Sequence, residues 1–133
     1  LIAMNSAIMV DFSGQINSEG VGHRQISGSG GQLDFMLGAY WSKGGKGITL
    51  LTSTQKQSDG SIISSIVPEL PPGSPVTVPR TFADYVISEY GIARLKYKTR
   101  RQRAAELIAI AHPDLRGELR NSLRKNFYPA QNS

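Results

Sequence analysis

"SGSGGQLDF", residues 27–35, places three glycines within five positions and then turns abruptly apolar. A free linker needs polar flanks, whereas "QLDFMLGAYW" supplies apolar residues at once. A Walker-type phosphate loop needs Lys-Ser/Thr after its last glycine, and Gln32-Leu33 stands there instead. A dinucleotide fingerprint spaces its glycines differently and requires a preceding strand. What fits is a loop that enters a helix. Two readings of it stay open: a tight turn that needs several glycines, or bare backbone N–H groups at a positive helix end that face an anion or a developing oxyanion.

Downstream, Leu33, Met36, Leu37 and Tyr40 recur at helical spacing, which predicts a short amphipathic helix ending near "SKGGKG" (42–47). Upstream, "SAIMVDF" (6–12) reads as a strand and "SGQINSEG" (13–20) as a polar turn. "GITLLTS" (47–53) is a buried strand, "SDGS" (58–61) a turn, and "SIISSIVPEL" (61–70) a further strand stopped by Pro68. "VTV" (76–78) can pair as a short strand, and Tyr85–Ser88 forms one more, closed by Gly91. Thr99 and Gln102 stand at capping-box spacing, with Ala105, Ile108 and Ala109 as the apolar face of the helix that follows. Pro113 opens a last helix on Leu115, Leu119 and Leu123. The order predicts one α/β domain over residues 1–133, with helices covering one or more faces of a sheet.

Composition narrows the class. Cysteine is absent, which excludes a disulfide framework and thiolate metal sites and fits a reducing compartment. No run approaches the roughly 20 apolar residues of a membrane span, and the start lacks a basic signal-peptide region. The chain opens on Leu1 in mid-pattern, as a piece of something longer would. The net charge of +5 is concentrated after residue 93, around "RLKYKTRRQR" (94–103).

Three blocks then carry a resemblance: "NSAIMVDFSGQINSEGVGHRQISGSGGQLDFMLGAYWSKGGKGI" (5–48), "ISSIVPELPPGSPVTVPR" (63–80) and "YVISEYGIARLKYKTRRQRAAELIAIAHPDLR" (85–116). In this order they resemble the carboxy-terminal part of the acetyl-CoA hydrolase/transferase family, which includes 4-hydroxybutyrate, butyrate and acetate CoA-transferases. The resemblance implies a CoA-transferase-like fold, an open and partly parallel sheet flanked by helices. It implies a covalent relay in which a glutamate attacks an acyl-CoA thioester, passes through an acyl-glutamyl anhydride to a glutamyl-CoA thioester, and yields CoA to an incoming carboxylate. Hydrolysis by water is the alternative end of the same relay. Coenzyme A enters as substrate, and no metal is implied.

The family's glycine loop maps onto Gly30 and Gly31, which the resemblance places against the thioester oxygen, Gly30 nearer, with Gln32 beside them. The nucleophilic glutamate of the family lies in a "TE" motif upstream of the matching block. None of Glu19, Glu69, Glu89, Glu106 or Glu118 occupies that motif, so the chain reads as a fragment, inactive alone, whose partner is the amino-terminal part of the enzyme. Glu89, in "SEYG", has no assigned role. The full-length protein is expected to be a cytoplasmic homo-oligomer (a homodimer) acting on acyl-CoA and a carboxylate.

Four further features have a functional and a plain reading each. His23 precedes the glycine loop and is a candidate lining residue of the acyl pocket or simply structural. His112, before Pro113, reads as a helix-start residue, and two histidines so far apart make no metal site. Lys43 and Lys46 can reach CoA phosphates or be ordinary turn lysines. Ser27 and Ser29 lack the "GxSxG" elbow of a serine hydrolase. The basic cluster at 94–103 raises a non-catalytic nucleic-acid-binding module as the alternative, although it lacks a recognition motif and an aromatic platform. No nucleic-acid or membrane partner is therefore expected.

Overall fold

The apolar run near the amino terminus bends at Ile8 and serves two sheets. β1 (Ile2–Ala7) enters the central sheet and β2 (Met9–Asp11) a smaller one, so the single strand expected over 6–12 is two. The computed structural model describes residues 1–21, 24, 25, 28 and 30–127. His23, Ser27 and Ser29 lie outside the described residues.

Two short strands, β3 (Ile16–Asn17) and β4 (Gly20–Val21), follow, and β4 pairs with β5 (Arg24–Gln25). Next come helix α1 (Gln32–Trp41) and β6 (Lys46–Leu51), the two elements predicted on either side of "SKGGKG". The expected strand over 61–70 divides into β8 (Ile62–Ser64), paired with β7 (Thr54–Lys56), and β9 (Ile66–Val67), which joins β2 and β3. Val78 of "VTV" bridges to Ile16.

The predicted strand at Tyr85–Ser88 is β10. Gly91 does not close it but starts β11 (Gly91–Arg94), antiparallel to β10. The turn between them is Glu89-Tyr90, which carries no Asn-Gly or Asp-Gly signal. Helices α2 (Arg100–Ala109) and α3 (Arg116–Phe127) end the described chain.

The central sheet runs β1-β6-β10-β11. β1, β6 and β10 are parallel, and β11 is the antiparallel edge. Alternation puts Ala3, Gly47, Thr49, Leu51, Val86, Ser88 and Ala93 on one buried face. α1 lies there, with the Met36 thioether against Gly47. The segment after α2 lies there too: Ile110 borders Gly91, and its carbonyl accepts the Ser88 hydroxyl at 2.6 Å. Helices of this chain thus cover one face.

Both helix faces differ from their predicted ones. α1 buries Gln32, Met36 and Ala39, because small Ala39 lets the helix approach the sheet, while Tyr40 stays exposed. α2 buries Ala104, Leu107 and Ile108, since larger Leu107 turns the contact face one position and leaves Ala105 and Ala109 exposed. The Thr99–Gln102 capping box is present as expected. Pro113 opens a 3₁₀ turn (Pro113–Leu115) before α3, and Nδ1 of His112 caps it by accepting the Asp114 N–H at 3.2 Å.

Polar side chains set the path between β2 and β3. Asp11 Oδ1 accepts the N–H of Ser13 and Gln15 at 2.9 and 3.0 Å. Fully buried Asn17 accepts the N–H of Glu19 and Gly20 and donates to the Gly20 carbonyl. Asn17→Ala leaves those groups unpaired without water and is expected to cost about 2 kcal/mol. Urea unfolding of the chain checks this, and a loss below a few tenths of that would contradict it.

Candidate functional site

α1 returns to the sheet through residues 42–45, so it runs antiparallel to β6 and its first turn sits at the carboxyl ends of the parallel strands. That edge is where open α/β sheets bind ligands. Gly30 has φ +56°, and a Cβ built on it meets nothing within 4 Å. Among the described residues its glycine therefore answers to backbone conformation rather than to a packing contact. Gly31 is the helix N-cap, φ −96°, with no side-chain cap, and a Cβ there would lie 3.4 Å from the Phe35 ring. Uncapped N–H groups and the helix dipole make this end attractive to negative charge.

Gln32 opens the helix and is only 7% exposed, yet its Nε2 has no hydrogen-bond partner among the described residues. Thr49 Oγ1 on β6 is also buried without a partner among the described residues. Buried polar atoms without partners cost free energy and mark places that expect a further group.

Glu89 stands at the same edge. Its Oε1 accepts the Ser53 N–H at 2.7 Å, tying the end of β10 to the end of β6. Glu89 borders a hollow of about 320 Å³ lined by Ser6, Ala7, Leu51, Thr52 and Ser88, among others. Desolvation raises the Glu89 pKa, but the N–H groups of Ser53 and Glu89, the Ser53 hydroxyl and nearby His112 outweigh it and hold the carboxyl below 4.5. A carboxyl depressed in the folded state stabilises above its unfolded pKa, and this contribution is lost as pH falls through the folded value. Wild type is therefore expected to lose more stability than Glu89→Gln on acidification from about pH 6 to about pH 3. Parallel pH–stability curves would remove the role. The "SEYG" block flagged Glu89, but nothing in the sequence tied it to Ser53.

Lys43 and Lys46 are not brought to this edge. They follow the other end of α1, about 15 Å of helix away, and Lys46 starts β6. A larger hollow among the described residues, about 810 Å³ between the 11–15 turn and the proline-rich loop, contains none of the predicted site residues.

Much of the basic cluster is engaged internally. Arg103 Nη1 donates to the carbonyls of Ser13 and Arg80 at 3.0 and 2.7 Å. Lys98 pairs with Glu106 at 2.8 Å. Arg94 faces Asp84 at 3.6 Å and lies over the Tyr85 and Tyr97 rings. Sequence reasoning missed Arg103, because a half-buried structural arginine inside a charge run looks like its neighbours. Among the described residues no group of three His, Cys, Asp or Glu is placed to hold a metal ion. No helix among them is long and apolar enough to cross a membrane.

Comparison with known proteins follows from this geometry. Residues 1–123 match the family described as acetyl-CoA hydrolase/transferase C-terminal domain. The succinyl-CoA:cyclohexane-1-carboxylate CoA transferase of Geobacter metallireducens is 48% identical over 94% of this chain and 28% of its own length. The 4-hydroxybutyrate coenzyme A transferase of Clostridium kluyveri is 48% identical over 96% of this chain and 29% of its own length. The crystal structure of 4-hydroxybutyrate CoA-transferase from Porphyromonas gingivalis superposes with a TM-score of 0.72 at 39% identity, over 95% of this chain and 27% of that one. The chain thus spans under a third of the length of these relatives.

Proposed function

The chain belongs to the acetyl-CoA hydrolase/transferase C-terminal domain family, and from that premise we propose that it is the carboxy-terminal part of an acyl-CoA:carboxylate CoA-transferase. Its contribution is the oxyanion side of the thioester site. The N–H groups of Gly30 and Gly31 face the thioester oxygen, and the Gln32 amide adds a donor beside them. The nucleophilic glutamate comes from polypeptide upstream of this segment. Both relatives at 48% identity are named as transferases, which favours a carboxylate over water as the acceptor.

One observation supports this role above the others: an open, positive-φ glycine beside a helix start whose first side chain is buried with an unpartnered donor. Preorganised donors of this kind stabilise charge that develops in the transition state, typically by about 3–4 kcal/mol per donor. Lys43 and Lys46 reach CoA phosphates only if the nucleotide end of CoA extends along α1.

The test joins this chain to the upstream part of the Clostridium kluyveri relative as one polypeptide. The joined enzyme is expected to exchange CoA between acetyl-CoA and butyrate, and the 133-residue chain alone to show no turnover. Turnover by the chain alone would overturn the reading. Water consumed as fast as carboxylate would replace transferase by hydrolase.

A further inference from the structure

The central sheet has a second face that the helices leave bare. Strand register sets Met4, Ile48 and Tyr85 side by side in one row, which ends on Arg94, and Leu50, Ile87 and Ile92 in the next, which begins on Ser6. Ile2, Met4 and Ile92 are 63%, 58% and 63% exposed. Scattered apolar residues on a surface need no explanation, but a contiguous block does. Parallel sheets are normally covered on both faces, and their strands are apolar on both. The strands of this sheet carry apolar residues on the helix-covered face and on this one alike.

We propose that this face seats the upstream part of the same enzyme, packed on Met4, Ile48, Leu50, Ile87 and Ile92 as an apolar layer. This rests on the transferase reading, which gives the chain an upstream partner, and it deepens that reading by saying where the partner sits. The family is a carboxy-terminal domain, and the chain spans 28% and 29% of its two relatives, so in them most of the polypeptide precedes the matching segment. Leu1 leads directly into β1, the edge strand of this face. The opposite face is already occupied by α1 and the segment after α2, so polypeptide that enters at β1 finds this face open. The carboxyl ends of β1, β6 and β10 border that face, so a layer seated there lies beside the glycine-loop edge where the nucleophile is needed.

The chain contains no cysteine, so Met4→Cys and Ile92→Cys each create a single thiol, and Ser58→Cys in the exposed 58–61 turn serves as control. Maleimide labelling rates are compared for the free chain and for the chain mixed with the upstream part of the Clostridium kluyveri relative. Met4→Cys and Ile92→Cys are expected to label at least tenfold more slowly in the mixture, with Ser58→Cys unchanged. An Ile92→Lys variant should bind the upstream part at least tenfold more weakly with its own melting curve preserved. Equal labelling rates in a mixture shown to associate would overturn the proposal. So would protection that grows with concentration of the free chain, which would assign the face to a second copy. If the upstream part does not remain folded alone, the joined polypeptide replaces the mixture and the same rate ratios decide. Protection without CoA exchange would keep the seat and remove the transferase reading; exchange without protection would do the reverse.

Discussion

Turnover of the joined enzyme is expected to fall about a hundredfold when Gly30 becomes asparagine, while the melting temperature of the chain moves by only a few degrees. Asparagine is the substitution of choice because the site has φ +56°. Among residues with a side chain, Asn tolerates that region best, so the conformational cost stays near 1 kcal/mol. Among the described residues nothing lies within 4 Å of the added Cβ, so none of them adds a packing cost. The same open space is where the thioester oxygen has to arrive, and a side chain there intrudes on its approach to the N–H groups. An interaction made only in the transition state lowers kcat and kcat/KM together and leaves KM nearly unchanged. Gly31→Ala is the internal comparison: its φ of −96° accepts alanine, and its Cβ reaches only the Phe35 ring. A larger kcat loss at Gly31 than at Gly30 would move the principal contact to the N-cap. Equal losses of kcat and stability at Gly30 would make it a structural glycine.

The elements with local signals were legible. The Thr99–Gln102 box, β6 and β10 follow from spacing and apolar runs that no tertiary contact had to override. The two-residue strands were not, because β3 and β4 owe their path to Asn17, a hydrogen-bond hub that reads in sequence as one more polar turn residue. The face of α1 was misjudged for a related reason. Leu33 and Tyr40 offer more apolar surface than Gln32 and Ala39, yet the sheet takes the small residue and the amide. Gln32 is also the residue to which the proposed function gives an amide donor, and its polar character is what hid its place in the buried face. Sequence could place Lys43 and Lys46 near the loop in number, but only the antiparallel path of α1 puts them at its other end.

Gly45→Ala is expected to be the most destabilising single substitution in the helix-to-strand connection, by about 3 kcal/mol, or roughly 10 °C in melting temperature. The reason is contact rather than backbone conformation. A Cβ on Gly45 would stand 2.0 Å from the Ala39 carbonyl oxygen and 2.1 Å from Ser42 Oγ. The carbonyl belongs to the last turn of α1 and cannot rotate away as a flexible side chain could. The turn must therefore open, which also strains the Gly45 N–H bond to the Ser42 carbonyl at 3.0 Å. Gly44 supplies the contrast: φ is +68°, and a Cβ there meets nothing within 4 Å, so Gly44→Asn should cost about 1 kcal/mol or less. Displacing the last turn of α1 shifts a rigid ten-residue helix, so the opening at Gly45 is transmitted to Gln32 and the glycine loop at the other end. Gly45→Ala should for that reason lower kcat of the joined enzyme as well as stability, whereas Gly44→Asn should leave both close to wild type. Urea unfolding with an unchanged m-value gives the stability difference directly. If Gly45→Ala unfolds no more easily than Gly44→Asn, the connection is not the rigid link between sheet and glycine loop.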